Sequence, residues 1–420
     1  MLAFLRVALL LPCLTAAAAQ AQQFGFVTDI NRTTIDWPGW VWSGQSTPGG
    51  YGRKFAVLNG RILYQASTRE EGDELWSSDG TTAGTSMLAD IRPGPWSSRP
   101  QGFTVVGNRA FFQADDGAHG PELWVTDGTA KGTVMVADIR PGILGSEPRF
   151  LSPLGPGVVF AADDGSNGNE PWYSNGLASG TRLLKDVRPG PGGSSPNGCT
   201  TNAGGTRVFL QADDGTTGLE PWVTDGTAAG TVLLKDIRTG SQPSNAFAFR
   251  PLGPSKVLFQ AHDGTNGPEL WVSDGTTSGT IFVKDVDPGP GGGTSLINAA
   301  PLGSPPTRWV FQGHDAKVGH EYFVTDGTAA GTYLLADINP GTASGASGAM
   351  CTNPAGTRVA MSAFDGKTYQ IWTTDGTAKG TRVFAAYVGE LWPMELLDDG
   401  TGRIWFAGRN LVAGAGSSPA

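Results

Sequence analysis

The chain has 420 residues, a net charge of −9, 63 Gly and 29 Pro, with charged residues at only 16%. An acidic surface repels nucleic acid and anionic lipid, so no nucleic-acid partner is expected, and the acidic residues are spread along the chain instead of forming a tail. Frequent turns with scarce charge point to many short strands joined tightly.

Residues 1–21, "MLAFLRVALLLPCLTAAAAQA", carry one positive charge at Arg6, an apolar run from Val7 to Leu14 and small residues up to Ala21. That is the pattern of a signal peptide cleaved after Ala21. The run is shorter than the roughly 20 residues of a membrane span, and no second long apolar stretch follows. The chain is therefore expected to be exported (extracellular, cell surface or periplasmic), with no membrane span. Cys13 follows Pro12 instead of a small residue, which argues against a lipid-anchored leader.

Next comes "FGFVTDINR" at 24–32, which reads as a strand, and then "TTIDWPGWVWSG" at 33–44. Trp37, Trp40 and Trp42 with Asp36 would make a stacking platform and a polar acceptor for a sugar ring. The same indoles would serve equally as a buried cap, since apolar bodies are more often covered than displayed.

From there one phrase recurs. "ELWVTDGTAKGTVMVADIRPG" at 122–142 returns as "EPWVTDGTAAGTVLLKDIRTG" at 220–240 and "ELWVSDGTTSGTIFVKDVDPG" at 269–289. Its turn centres on Asp79, Asp127, Asn175, Asp225, Asp274, Asp326 and Asp375, at intervals of 48 to 52 residues. Seven copies at such a period mean a propeller or a solenoid. One period reads as four strands, for example "RFLSPLG", "GVVFAADDG", "EPWYSNG" and "TRLLKDVRPG" at 149–190, and four strands are one propeller blade. The second strand is almost continuously apolar, as in "RAFFQA" and "KVLFQA", which suits a sheet buried on both faces.

Trp76, Trp124, Trp172, Trp222, Trp271 and Trp372 recur on the third strand, and Phe323 takes the place in copy six. An aromatic that serves without its indole N–H reads as filling between blades. The Asp of each Asp-Gly-Thr is expected to accept backbone N–H groups two residues on, and the later Gly-Thr, as at Gly132-Thr133, to supply a positive-φ residue.

Between second and third strands lie "ADDGAHGPE", "ADDGSNGNE" and "ADDGTTGLE". Asp115, Asp116 and Glu122, Asp163, Asp164 and Glu170, and Asp213, Asp214 and Glu220 form carboxylate sets around two glycines that would suit calcium. The plainer reading is a polar turn with its Glu hydrogen-bonded to a neighbouring strand. No other cofactor is expected. His119, His262, His314 and His320 are scattered over three copies, short of the three or four ligands of a zinc site. Cys199 and Cys351 stand at matching places three repeats apart, too far for a bridge.

At the end, "ELWPMELLDDGTGRIWFAGRN" at 390–410 reads as first and second strands with no third or fourth after it. Joined to the strand at 24–32, it would complete an eighth blade from both termini and leave no free edge. The expected architecture is all-β, a β-propeller of eight four-stranded blades, or seven with loose terminal strands, forming one domain over 22–420.

The repeated "ELWVTDGTxxGT" followed by "KDIRPG" resembles the bacterial ELWxxDGT repeat proteins, some described as hyalin-like, over about four-fifths of the chain from near Lys54 to Val388. The resemblance implies an exported, propeller-like protein and supplies no substrate or catalytic residue. Asn175, Phe323, Gln370 and Ala386 depart from the motif.

Catalysis on a repeating scaffold needs one place where symmetry breaks, and no nucleophile elbow, His-Glu zinc helix or phosphate loop is present. The expected function is a non-catalytic exported propeller binding an extracellular or envelope protein or polysaccharide. The alternative is a polysaccharide hydrolase or lyase acting at the propeller mouth.

Overall fold

A computed structural model of the chain describes residues 55–288, 291–386, 391–398 and 400–410. The described residues form a β-propeller fold of seven four-stranded antiparallel blades followed by a two-stranded hairpin. The blades span 55–89, 101–137, 149–183, 197–233, 247–284, 294–336 and 346–386, and the hairpin pairs Leu391–Asp398 with Ile404–Asn410. The expected completion of the hairpin by residues 24–32 lies outside the described residues, as do the leader and Asp36, Trp37, Trp40 and Trp42. One 3₁₀ turn, Ala178–Gly180, is the helical content described, and no helix is long and apolar enough to cross a membrane.

By its contacts the chain divides into two compact units. The first holds blades one to three and most of blade four up to Val232; the second takes Asn202–Gly204, Thr217–Pro221 and the chain from Leu233 on.

Blade two shows how the sequence makes a blade. Its strands are Gln101–Val106, Arg109–Asp115, Pro121–Thr126 and Val134–Ala137, paired in that order. The second and third pair from Ala110 opposite Thr126 to Asp115 opposite Pro121. Neighbouring side chains on a strand point to opposite faces, and here both faces are covered. Phe112 packs with Leu58, Leu63 and Leu75 of blade one, while Phe111 packs with Val158 and Phe160 of blade three. Both rings are fully buried, each contributing about 1.5–3 kcal/mol. This two-sided burial is why the second strands read as unbroken apolar runs.

The fourth strand is shorter than its phrase suggested. In blades three and four it is only Arg182–Leu183 and Val232–Leu233, and the "KDVRPG" and "KDIRTG" that follow are links to the next blade.

Candidate functional site

Within each unit the first strands of successive blades lie side by side, and hydroxyls tie them together. Thr104 Oγ1 donates to the Leu151 carbonyl at 3.1 Å, Ser152 and Thr201 hydroxyls meet at 2.7 Å, and in the second unit Thr352 Oγ1 donates to the Pro301 carbonyl at 2.8 Å. These first strands are bulged. In blades two to five a left-handed residue at Arg99, Glu147, Ser195 and Asn245 is followed three residues on by another at Gly102, Phe150, Gly198 and Ala248. Pairing with the second strand shifts register at the same place, between Gln101 and Thr104 in blade two and between Phe247 and Arg250 in blade five. Phe150, at φ 57°, and Ala248, at φ 55°, pay for a conformation that a side chain disfavours, and strain of this kind gathers where backbone is being aimed. The sequence signals only the glycines at this place.

The Asp-Gly-Thr positions are turns. Asp127 Oδ1 accepts from Thr129 N at 2.9 Å and Thr129 Oγ1 at 2.7 Å, and Asp79, Asp225, Asp274, Asp326 and Asp375 do the same with their own Thr. Asn175 keeps the acceptor oxygen, taking Leu177 N at 3.1 Å. The Thr hydroxyl first and its N–H second hold the Asp79 and Asp127 carboxyls below the usual carboxylate range. The glycine expectation needs correcting. The positive φ belongs to the first glycine, Gly128 at 92°, and not to Gly132. Gly132 is required because a Cβ there would collide with the Asp127 carboxylate.

The third-strand aromatics fill space between blades. Trp124 lies in the cluster with Ala56, Leu58 and Phe112, and Phe323 in the one with Leu258 and Leu270 of the preceding blade. The buried indole N–H groups of Trp76, Trp124, Trp172, Trp222 and Trp271 make no hydrogen bond to protein. That is why a phenylalanine substitutes in blade six. Trp372 differs, donating to Gln370 Oε1 at 3.0 Å.

The carboxylate sets expected to suit calcium are not drawn together. Asp115 accepts from Gly117 N at 2.7 Å and pairs with Arg92 at 2.9 Å; Asp116 takes the N–H groups of Ala118 and His119 at 2.9 Å. Glu122 is fully buried and turned the other way, accepting from Arg140 N at 3.0 Å, Ser146 N at 2.9 Å and Ser146 Oγ. Asp163, Asp164 and Glu170, and Asp213, Asp214 and Glu220, divide the work alike. Among the described residues no three such side chains are placed to hold a metal ion. Cys199 and Cys351 are both free, and burial pushes their thiols up to about 12 and about 11.

What the residue pattern did not disclose is the blade junction. In the first three links the Arg pairs with the first Asp of the next blade's loop: Arg92 with Asp115, Arg140 with Asp163, Arg188 with Asp213. Beside it, each buried Glu holds the link's backbone. Burial, the largest influence, raises the carboxyl pKa of Glu74, Glu122, Glu170 and Glu220, and hydrogen bonds led by a serine hydroxyl pull it back. At Glu269 and Glu321 that serine is Gly293 or Gly345, and burial carries both carboxyls up to about 7.

No family model matches the chain, and no curated protein matches it. Solved structures do. A puromycin hydrolase matches with a TM-score of 0.43 at 15% identity, over 86% of this chain and 58% of its own. A puromycin-hydrolysing peptidase of Mycobacterium tuberculosis matches with 0.43 at 12%, over 84% and 57%, and a prolyl endopeptidase with 0.44 at 13%, over 80% and 50%. This chain thus spans about three-fifths or less of these proteins. At such identities the likeness is one of fold alone, and it assigns no substrate and no catalytic residue. The expected non-catalytic binding module, with a polysaccharide hydrolase or lyase as its alternative, is not carried forward: the matched structures are those of a puromycin hydrolase and peptidases.

Proposed function

We propose that this chain has a peptidase-type function, with the inner edges of its blades receiving a peptide. The observation that carries the reading is the repeated bulge in the first strands. A first strand is a sheet edge, and a bulge leaves an extra residue outside the ladder, so N–H and C=O groups remain for a partner. An extended peptide is held by main-chain hydrogen bonds of that kind, with specificity added by flanking side chains. The residues beside the bulges, Thr104, Ser152, Thr200 and Thr201, are short and hydroxylated. Every residue of the first strands Asn197–Thr201 and Ala346–Thr352 is partly exposed. No residue of this chain is given a catalytic role in the proposal, and export by the leader belongs to it as well.

The test is incubation of the protein from Gln22 onward with a mixed peptide library and with puromycin, followed by mass spectrometry of products and of retained peptides. Peptide cleavage or saturable retention, weakened by Thr200→Val, supports the reading. Absence of both across the library overturns it.

A further inference from the structure

The junction between blades five and six departs from the others by a reversal of sign. Where earlier links carry Arg92, Arg140, Arg188 and Arg238, this link carries Asp287. Where the loops of blades two to four begin with Asp115, Asp163 and Asp213, blade five has His262 and blade six has His314. Asp287 and His314 meet: His314 Nδ1 lies 2.6 Å from Asp287 Oδ2, and Ala316 N donates to Asp287 Oδ1 at 3.1 Å. The place of the ion pair is kept, but its partner is now a histidine, charged only when protonated, where an arginine is charged throughout. The same junction has lost its serine. Gly293 has no room for a side chain against Asp287 and the His314 carbonyl, so Glu269 is left with backbone N–H groups, those of Val286, Asp287 and Gly293. His314 N donates to the Gly293 carbonyl at 2.7 Å, which joins the imidazole strand to the loop that holds the buried carboxyl.

We propose that the junction between blades five and six is a proton-operated clasp, closed while Glu269 holds its proton beside the His314–Asp287 pair and loosened when Glu269 releases it.

The charges around it favour proton uptake. Facing Glu269 and His314 are Asp285 and Asp287 from the link, Asp263 from the loop of blade five with His262 beside it, Asp315 and Lys317 from the turn of blade six, and His320 directly across the strand pair. Asp285 Oδ1 is buried without a protein partner, and burial, then Asp287 and Asp263, raises its carboxyl pKa. His320 opposes a second cation: burial first and His314 second lower its pKa, with the rings 4.7 Å apart. The sign follows from Glu269: it rises from 4.5 to about 7, so the folded junction binds the extra proton and loses stability as pH climbs through that window.

The experiment is amide hydrogen exchange, corrected for intrinsic rates, at pH 5.5 and 8.0 on the full mature chain. Protection of segments 285–288 and 312–322 is expected to fall by more than about tenfold between the two, while the equivalent segments 138–148 and 161–171, closed by Arg140 and Asp163, change little. The triple variant Glu269→Gln, Asp287→Arg, His314→Asp rebuilds the pair of the other junctions and removes the buried acid, and the fall should vanish. Equal changes at both junctions, or a fall that survives in the triple variant, overturns the clasp. Should circular dichroism show that the triple variant does not fold, Glu269→Gln alone must cut the fall at least about threefold, and an unchanged fall overturns the proposal. The clasp stands independently of the peptidase reading.

Discussion

The junction into blade three and the junction into blade six use the same backbone and different chemistry. In the first, Arg140 meets Asp163, and Glu122 is met by Ser146 N and Oγ. In the second, Asp287 meets His314, and Glu269 meets Gly293. The first arrangement keeps charge on an arginine and satisfies its buried carboxylate with a hydroxyl; the second pairs its aspartate with a histidine and leaves its buried carboxyl, raised to about 7, with backbone N–H groups alone. A repeat protein can thus hold its geometry constant and vary its response to pH blade by blade.

The largest way to break this comparison is to remove the buried carboxyl from each. Glu122→Ala leaves Arg140 N, Ser146 N and the Ser146 hydroxyl without their acceptor in a closed interior, and is expected to cost about 3–5 kcal/mol. Glu269→Ala strands backbone N–H groups with no hydroxyl among them and also relieves an acid that the interior resists ionising. It should cost about 1–2 kcal/mol at pH 5.5 and less at pH 8. Urea denaturation of both variants at the two pH values decides the matter; equal losses would mean that the serine hydroxyl does not matter.

The next variant converts one junction into the other. Ser146→Gly gives blade three the chemistry of blade six. Losing the hydroxyl leaves burial less opposed, so the carboxyl of Glu122, already raised, rises further. A raised acid stabilises fully below its ordinary 4.5 and progressively less as pH climbs to its folded value. The variant should therefore lose about 1–2 kcal/mol at pH 7.5 and less at pH 5. A loss independent of pH would show that the hydroxyl only fills space.

Much of the fold was legible because period and burial speak through residue type. Six Asp-Gly-Thr phrases and the Asn-Gly-Leu at 175–177 marked the blades, and runs such as "RAFFQA" announced strands covered on both faces. The site was less legible. "ADDGAHGPE" places Asp115, Asp116 and Glu122 within eight residues, which invites a shared ligand, yet strand alternation sends Glu122 inward while the aspartates stay in the loop. The partners of Glu122, at Arg140 and Ser146, lie beyond a whole strand and link. Spacing along a chain does not tell which face a carboxylate takes. The signal was present in another form: the link departs from Arg at Asp287 and the loop departs from Asp at His314, and only a known contact turns the two departures into one pair.

The two smallest predictions ask whether blades one to seven are interchangeable at positions outside the junction. Trp124→Phe imitates the native Phe323, and because the Trp124 indole N–H makes no hydrogen bond to protein, only packing is lost, about 1 kcal/mol. Asp127→Asn imitates Asn175. The turn uses one side-chain oxygen to accept Thr129 N and its hydroxyl, and an amide oxygen does the same without charge. The change should stay within about 0.5 kcal/mol at pH 7. Its informative part is the acid limb. Asp127 titrates below the usual carboxylate range, so the native turn is stabilised above its unfolded value and weakens as pH falls through the folded one. The Asn variant has no such limb, and thermal melts from pH 7 down to pH 2.5 should show native and variant curves converging as the aspartate is protonated. Curves that stay parallel would mean that the carboxylate's charge adds nothing to the turn and that its oxygen alone is what the repeat retains.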